Sequence, residues 1–225
     1  QLCTFEEPAE TERLTVCKTL APQVLATLKN HDGNTPQSSR FFKTPDNRSA
    51  QLESLFKSLY GIDETGLLAE AVAHFKHQEA NYPLHTSLIP AVKKLCPWFA
   101  SQTQSCAPFQ QLFQHCIREL KARTKAAVTK PKNWTQNRVL SCTCADCQEL
   151  QHFLKHPTEQ IHRFRIKKER RQHLHQQIDK HQCDMTHQTE RKGSPQTLVC
   201  TKNHSSYEKR QQQWEIDKAL LKELQ

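Results

Sequence analysis

Glycine is scarce in this chain. Only four of the 225 residues are glycine, at positions 33, 61, 66 and 193. Sandwiches and barrels of β-strands need many turns served by glycine, and loops that cradle phosphate groups need glycines in clusters. The sequence therefore disfavours both an all-β fold and a phosphate-cradling nucleotide site.

Long apolar runs are missing as well. The mean hydropathy is −0.80, and no stretch reaches the roughly 18 apolar residues that mark a membrane-spanning helix. We see no signal peptide, so we expect an intracellular, reduced protein of the cytoplasm or nucleus with no membrane partner. Because the chain opens at Gln1 and its one methionine is Met185, we also expect a piece of a longer protein.

Apolar residues of the first half recur every three or four positions, which is typical of amphipathic helices. The predicted apolar stripes lie at 14–28, 52–59, 67–75, 84–95 and 109–120. We expect the second helix to stop at Gly61, the fourth to end before Pro97, and a polar loop to span 31–48. The sequence thus predicts a helical bundle or short α-solenoid over 1–130, although no motif repeats at a fixed period.

The second half has a different pattern and predicts a small α+β module over 139–225. Helical patterns cover 148–155 and 168–180, and alternating residues near Phe164 indicate a short strand. Two extended stretches, 185–189 and 197–201, flank a turn signal at Gly193 and predict one β-hairpin. A last amphipathic helix carries Tyr207 and Trp214. The predicted fold class is therefore mainly α, with a small α+β module after the linker 129–138.

Cysteine and histidine are abundant, with ten and thirteen residues, and several have metal-ligand spacing. Cys144 and Cys147 form a C-x2-C pair, and Cys142 adds a thiol two residues earlier. One tight turn can present these sulfurs to tetrahedral Zn²⁺. Our first ligand set is Cys142, Cys144, Cys147 and His173. The second set is Cys144, Cys147, Cys183 and His187, with His175 as a further alternate.

The competing interpretation of these residues is a group of free thiols beside scattered histidines. If zinc is bound, we expect a structural role, because a small domain gains folding free energy from the ion. A catalytic role is disfavoured because the sequence has no H-E-x-x-H arrangement with a general base.

Basic residues exceed acidic ones, 32 against 23, which gives a formal net charge of +9. Six of the basic residues lie within nine positions: Arg163, Arg165, Lys167, Lys168, Arg170 and Arg171. Such a run can contact phosphates, and nearby aromatic residues such as Trp134 can stack on bases. Nucleic acid is therefore a possible partner, whereas a merely solvated basic surface is the plainer interpretation.

Three motifs of the second half resemble a known type of region. These are CTCADCQELQHFLKHP at 142–157, RFRIKKERRQHLH at 163–175 and THQTERKGSPQTLVCTK at 186–202, followed by Tyr207 and Trp214. They resemble the C-terminal region of large, mostly fungal proteins that carry a prolyl-hydroxylase-like, 2-oxoglutarate- and iron-dependent oxygenase domain. The resemblance implies that iron and 2-oxoglutarate bind only in a catalytic domain upstream of this piece. It implies no role for the C-terminal region itself.

These observations predict a non-catalytic region that binds or positions a macromolecular substrate. Its partner would be another protein or the oxygenase domain of the same chain. The alternative is a nucleic-acid-binding module that acts through the basic run 163–171. An enzyme in its own right would need His173, His175 or His187 beside a carboxylate around an open metal position.

Overall fold

A computed structural model describes residues 10–34, 47–102 and 105–225. The chain divides into two compact units. Unit 1 comprises Gln1–Ala122 with Leu221–Gln225, and unit 2 comprises Arg123–Leu220. The predicted fold class, mainly α with a small α+β module, is confirmed. The predicted domain bounds, 1–130 and 139–225, stay predictions.

Unit 1 is built of helices. They are α1 Glu10–Asn34, α2 Arg48–Gly61, α3 Thr65–His77, a π-helical turn Leu84–Leu88, α4 Ile89–Ala100 and α5 Ala107–Thr124. Helix α2 packs against α3, the π-helical turn and α4, and α1 packs against α3. The apolar faces meet in a core that includes Phe56, Leu68, Phe75, Val92, Leu95 and Leu112.

The predicted apolar stripe of α1 is only partly buried. Leu25 is 2% exposed, but Leu14, Leu20 and Val24 are 40%, 48% and 56% exposed. Helix α3 has 13 residues and α1 has 25, so α3 can cover only part of α1. The periodicity therefore predicted the helix correctly and its buried face incorrectly.

The predicted loop 31–48 is wrong at both of its ends. Helix α1 continues to Asn34, and α2 begins at Arg48. The carboxylate of Asp32 is buried and accepts hydrogen bonds from Tyr82 (2.7 Å) and His74 (2.8 Å). Burial raises the pKa of Asp32, but these hydrogen bonds and the charge of Arg48 outweigh it and lower the pKa. Residues 35–46 of that predicted loop lie outside the described residues.

The predicted helix end is right for α2 and wrong for α4. Helix α2 does end at Gly61, yet the residue in the left-handed conformation is Asp63, with φ of 57°. Helix α4 does not stop before Pro97 and instead continues to Ala100. A proline inside a helix removes one backbone hydrogen bond. Here the burial of Val92 and Leu95 and the packing of Phe99 on Phe109 (ring centroids 4.3 Å apart) stabilise the helix on both sides of Pro97.

Unit 2 combines helices with one small sheet. Its elements are α6 Ala145–Lys155, β1 Ile161–Arg165, α7 Lys168–Lys180, β2 Met185–Glu190, β3 Thr197–Lys202 and α8, Ser205–Glu223, which begins in this unit. The predicted hairpin is β2 and β3, with Gly193 at φ of 78° in the connecting loop. Strand β1 joins it on the other side of β3, so the sheet has the antiparallel order β1-β3-β2. The sequence indicated this strand but not its pairing.

The core of unit 2 lies between the sheet and helices α6 and α7. Alternate residues of the strands point into it, and the helices contribute residues three and four apart. Its buried members include Leu150, Phe153, Phe164, Leu174, Ile178 and Leu198. Since α6 and α7 share this core, their N-terminal parts are held close together.

Within the described part of the chain, no helix is both long enough and apolar enough to cross a membrane.

A histidine links β1 to α6 and to the turn before the strand. His162 contacts Glu149 on α6 at 2.8 Å and Glu159 at 2.6 Å, and its ring packs against Phe153 and Phe164. Burial lowers the pKa of His162, but the two carboxylates outweigh burial and raise it above 6.5. The protonated ring is therefore favoured in the folded state.

This link predicts a pH-dependent contribution to stability. The pKa of His162 is raised in the folded state, so its protonated ring stabilises the fold. This stabilisation should be complete below pH 6.5 and be lost as pH rises through the pKa of the folded state. The thermal midpoint of the wild type should therefore fall more on this rise than that of His162→Gln. His152→Gln, which changes an exposed histidine of α6, should behave as the wild type. Identical pH profiles for His162→Gln and the wild type would contradict the assignment.

Candidate metal centre

The segment before α6 is fixed by the side chains of Gln151, on α6, and His181, which directly follows α7. The backbone N–H of Leu140 donates to Oε1 of Gln151, and Nε2 of Gln151 donates to the carbonyl of Arg138, both at 2.8 Å. The N–H of Ser141 donates to Nε2 of His181 at 3.2 Å. These contacts bring Cys142 to the start of α6.

Helix α6 starts within the cysteine motif. Cys144 is its N-cap residue, with extended backbone at φ −63° and ψ 160°, and Cys147 lies in its first turn. The N–H groups of a helix's first turn have no partner within the helix and carry partial positive charge. A helix N-terminus is therefore a favourable place for thiolates.

The fourth group comes from α7. His173 lies with Nε2 3.2 Å from Sγ of Cys147 and 3.7 Å from Sγ of Cys144. One donor atom from each of the four residues lies within 4.8 Å of the others, and the four are Cys142, Cys144, Cys147 and His173. In tetrahedral zinc sites, Zn–S bonds of about 2.3 Å and Zn–N bonds of about 2.0 Å put donor atoms roughly 3.5–3.8 Å apart. The cluster has the size and the donors to hold a metal ion such as zinc.

An ion pair beside the cluster fixes the two helices that supply its ligands. Asp146, which is 5% exposed, accepts two hydrogen bonds from the guanidinium of Arg170, one of them from Nε at 2.6 Å. Asp146 directly precedes Cys147, and Arg170 is one helical turn before His173. The sequence pattern did not single out Asp146, and Arg170 was predicted only as a member of the basic run. The signal for Asp146 was an acidic residue in the first turn of a helix.

The three thiols differ in their electrostatic surroundings. A hydrogen bond from the backbone of Cys144 is the main cause that lowers the pKa of Cys142 to about 7. Burial and the neighbouring thiols raise the pKa of Cys147. Three thiols this close repel one another when all are ionised, so a bound cation would favour their thiolate forms together.

The alternate ligands lie elsewhere in unit 2. Cys183 belongs to the hydrophobic core, and burial raises its pKa to about 11. His187 on β2 contacts His175 on α7 at 2.5 Å between their Nδ1 atoms. The structure therefore brings together the first ligand set and separates the alternates from it.

The basic run does not form one continuous cationic surface. Arg171 is 6% exposed and donates to Oε1 of Gln196 at 2.8 Å, while Arg163 pairs with Glu190 at 2.8 Å. Arg170 holds Asp146, as described above. Arg163 and Arg170 are exposed but paired with carboxylates, whereas Arg165, Lys167 and Lys168 are exposed and form no ion pair with the residues that the structure describes.

Comparison with protein-family models, with curated proteins and with solved structures finds no match to this chain. The resemblance to oxygenase C-terminal regions stays a prediction from the motifs quoted above.

The surroundings of the thiols predict their order of reactivity in the metal-free chain. The thiolate is the nucleophile, so Cys142, with its lowered pKa and partial exposure, should be alkylated by iodoacetamide at neutral pH well before buried Cys147. Peptide mass spectrometry over a time course measures both rates. Unfolding in urea should remove the difference, and equal rates in the folded chain would contradict this geometry.

Proposed function

We propose that unit 2 is a binding module built around one structural zinc ion, held by Cys142, Cys144, Cys147 and His173. The observation that carries the proposal is the convergence of their donor atoms within 4.8 Å. Thiolates and imidazole are the donors that zinc prefers, and C-x2-C spacing at a helix N-terminus is common in structural zinc sites.

The position of the ligands explains what the ion would do. Cys142 precedes α6, Cys147 lies in its first turn, and His173 belongs to α7, so the ion would tie three segments of unit 2 together. The contact between Asp146 and Arg170 would then act as an outer support that orients both helices. Zinc binding would thus add directly to the folding free energy of this unit.

A structural role fits this donor set better than a catalytic one. Four protein ligands complete a tetrahedron, whereas catalytic zinc sites keep one position for water or substrate. We therefore propose that the region binds rather than transforms its partner. In line with the motif resemblance, the partner would be a macromolecular substrate that it positions for an oxygenase domain, in the same chain or in another protein.

The zinc proposal predicts one zinc per chain in protein purified without chelator. Elemental analysis should find about one equivalent in the wild type and almost none in a Cys144→Ser, Cys147→Ser variant. The double variant should also unfold at a lower temperature, as should the wild type after removal of the metal by a chelator. Cys17→Ser, which changes an exposed thiol of α1, is the matched control and should keep its zinc.

Because the double variant can lose metal simply by unfolding, a second measurement uses the wild type. Exchange of zinc for Co²⁺ should give an intense thiolate-to-cobalt charge-transfer absorption. A wild type without zinc, or a cobalt spectrum without thiolate bands, would overturn the proposal.

A second candidate function rests on the distribution of charge. Acidic and basic residues balance in unit 1, so the whole net charge of +9 belongs to the sequence of unit 2. Positive charge concentrated in one unit favours an anionic partner such as nucleic acid. Arg165, Lys167 and Lys168 are exposed members of the basic run that are not paired with a carboxylate among the described residues, so their charge is available to phosphates.

Salt dependence tests this second function. If the three exposed residues each contact one phosphate of single-stranded RNA, log K should fall steeply with log salt between about 50 and 200 mM. Changing all three to alanine should reduce the slope by about 2. The matched control changes Lys209 and Arg210, two exposed residues of α8, to alanine. Fluorescence anisotropy with a labelled oligonucleotide measures the slopes, and no binding by the wild type at low salt excludes this function.

A further inference from the structure

Two histidines of unit 2 face each other between α7 and the sheet. Nδ1 of His175, on α7, lies 2.5 Å from Nδ1 of His187, on β2, and the two ring centroids are 4.8 Å apart. Both residues are partly exposed, so the pair lies near the surface of unit 2. Helix and strand backbones are rigid supports for such a pair.

The outer nitrogens of both rings have partners of their own. Nε2 of His187 lies 3.1 Å from Oδ1 of Asp179, and Nε2 of His175 lies 3.3 Å from Oγ1 of Thr189. A carboxylate can only accept, so Nε2 of His187 carries the proton and its Nδ1 directs a lone pair toward His175. A carboxylate behind a histidine, with the other nitrogen free to coordinate, is the usual outer support of a metal-binding imidazole.

This pair is separate from the cysteine cluster. His173 and His175 are two residues apart on α7, and side chains two apart on a helix point to different faces. One therefore contacts Cys147 at the start of α6, and the other contacts His187 on β2.

We infer that His175 and His187 form a second binding site of unit 2 for a divalent transition-metal ion, coordinated by their Nδ1 atoms. A metal bonded at about 2.0–2.1 Å to two imidazole nitrogens in tetrahedral geometry holds them roughly 3.4 Å apart. Small side-chain rotations at this accessible edge open the pair to that separation. Imidazole donors suit zinc, nickel and copper, and water fills the remaining positions. Asp179 is a positioning residue that orients His187.

The test uses the full chain with one equivalent of zinc already bound and Ni²⁺ as the probe. Calorimetric titration should show about one Ni²⁺ per chain in the wild type, and His187→Gln should abolish this binding. Asp179→Asn should weaken it about tenfold, the effect expected when an outer-shell partner of a metal ligand is lost. Asp179 is an exposed position, so this variant is expected to fold even if His187→Gln does not.

His152→Gln is the matched control, because His152 and His156 are a neighbouring histidine pair of the same unit, with ring centroids 6.0 Å apart. It should leave Ni²⁺ binding unchanged. Cys144→Ser should also retain it, so failure of the zinc centre and failure of this site are distinguishable. Absence of Ni²⁺ binding by the wild type, its loss in His152→Gln, or new thiolate-to-nickel absorption would overturn the inference. The first of these results would leave His175 and His187 as a hydrogen-bonded pair only.

Discussion

The arrangement of unit 2 depends on one ion pair between two helices, in which the carboxylate of Asp146 is buried and the guanidinium of Arg170 is exposed. A carboxylate that loses its water must find hydrogen bonds or a counter-charge, and Asp146 finds both in the guanidinium of Arg170. That requirement fixes the first turn of α6 against the first half of α7. The thiol of Cys147 and the ring of His173 follow from it, since each is within one helical turn of the pair. Loss of Arg170 would leave the buried carboxylate of Asp146 without its counter-charge.

Much of the fold was predictable from periodicity, because burial of an apolar face leaves a regular pattern in the sequence. The bounds 168–180 predicted for α7 match its observed range, Lys168–Lys180, and the hairpin lies at its predicted place. The predictions that failed were those that depend on tertiary contacts. The buried face of α1 and the helical start of the predicted loop at Asp32 depend on α3, which is distant in sequence and leaves no local signal. The pairing of β1 with β3 is non-local in the same way.

The candidate metal centre was predictable to a similar degree. Local spacing indicated Cys142, Cys144 and Cys147, since all three lie within the short segment 142–147. His173 was a choice among several histidines, and only the packing of α7 against α6 distinguishes it from the alternates. The basic run shows the opposite case: a count of charges cannot show that Arg171 is buried or that Arg163 is paired with Glu190.

The strand order of the sheet has a consequence for the solubility of unit 2. In the order β1-β3-β2, β1 and β2 each have one neighbouring strand in the described part of the chain, so each leaves a row of backbone groups without a partner strand there. Such rows are templates on which strands of other chains can add and begin aggregation. Strand β1 is only five residues long and carries exposed Arg163 and Arg165. The charge of these two arginines and the shortness of β1 both oppose pairing of β1 with a strand of another molecule. The arginines therefore protect the sheet from aggregation whether or not they contact a phosphate.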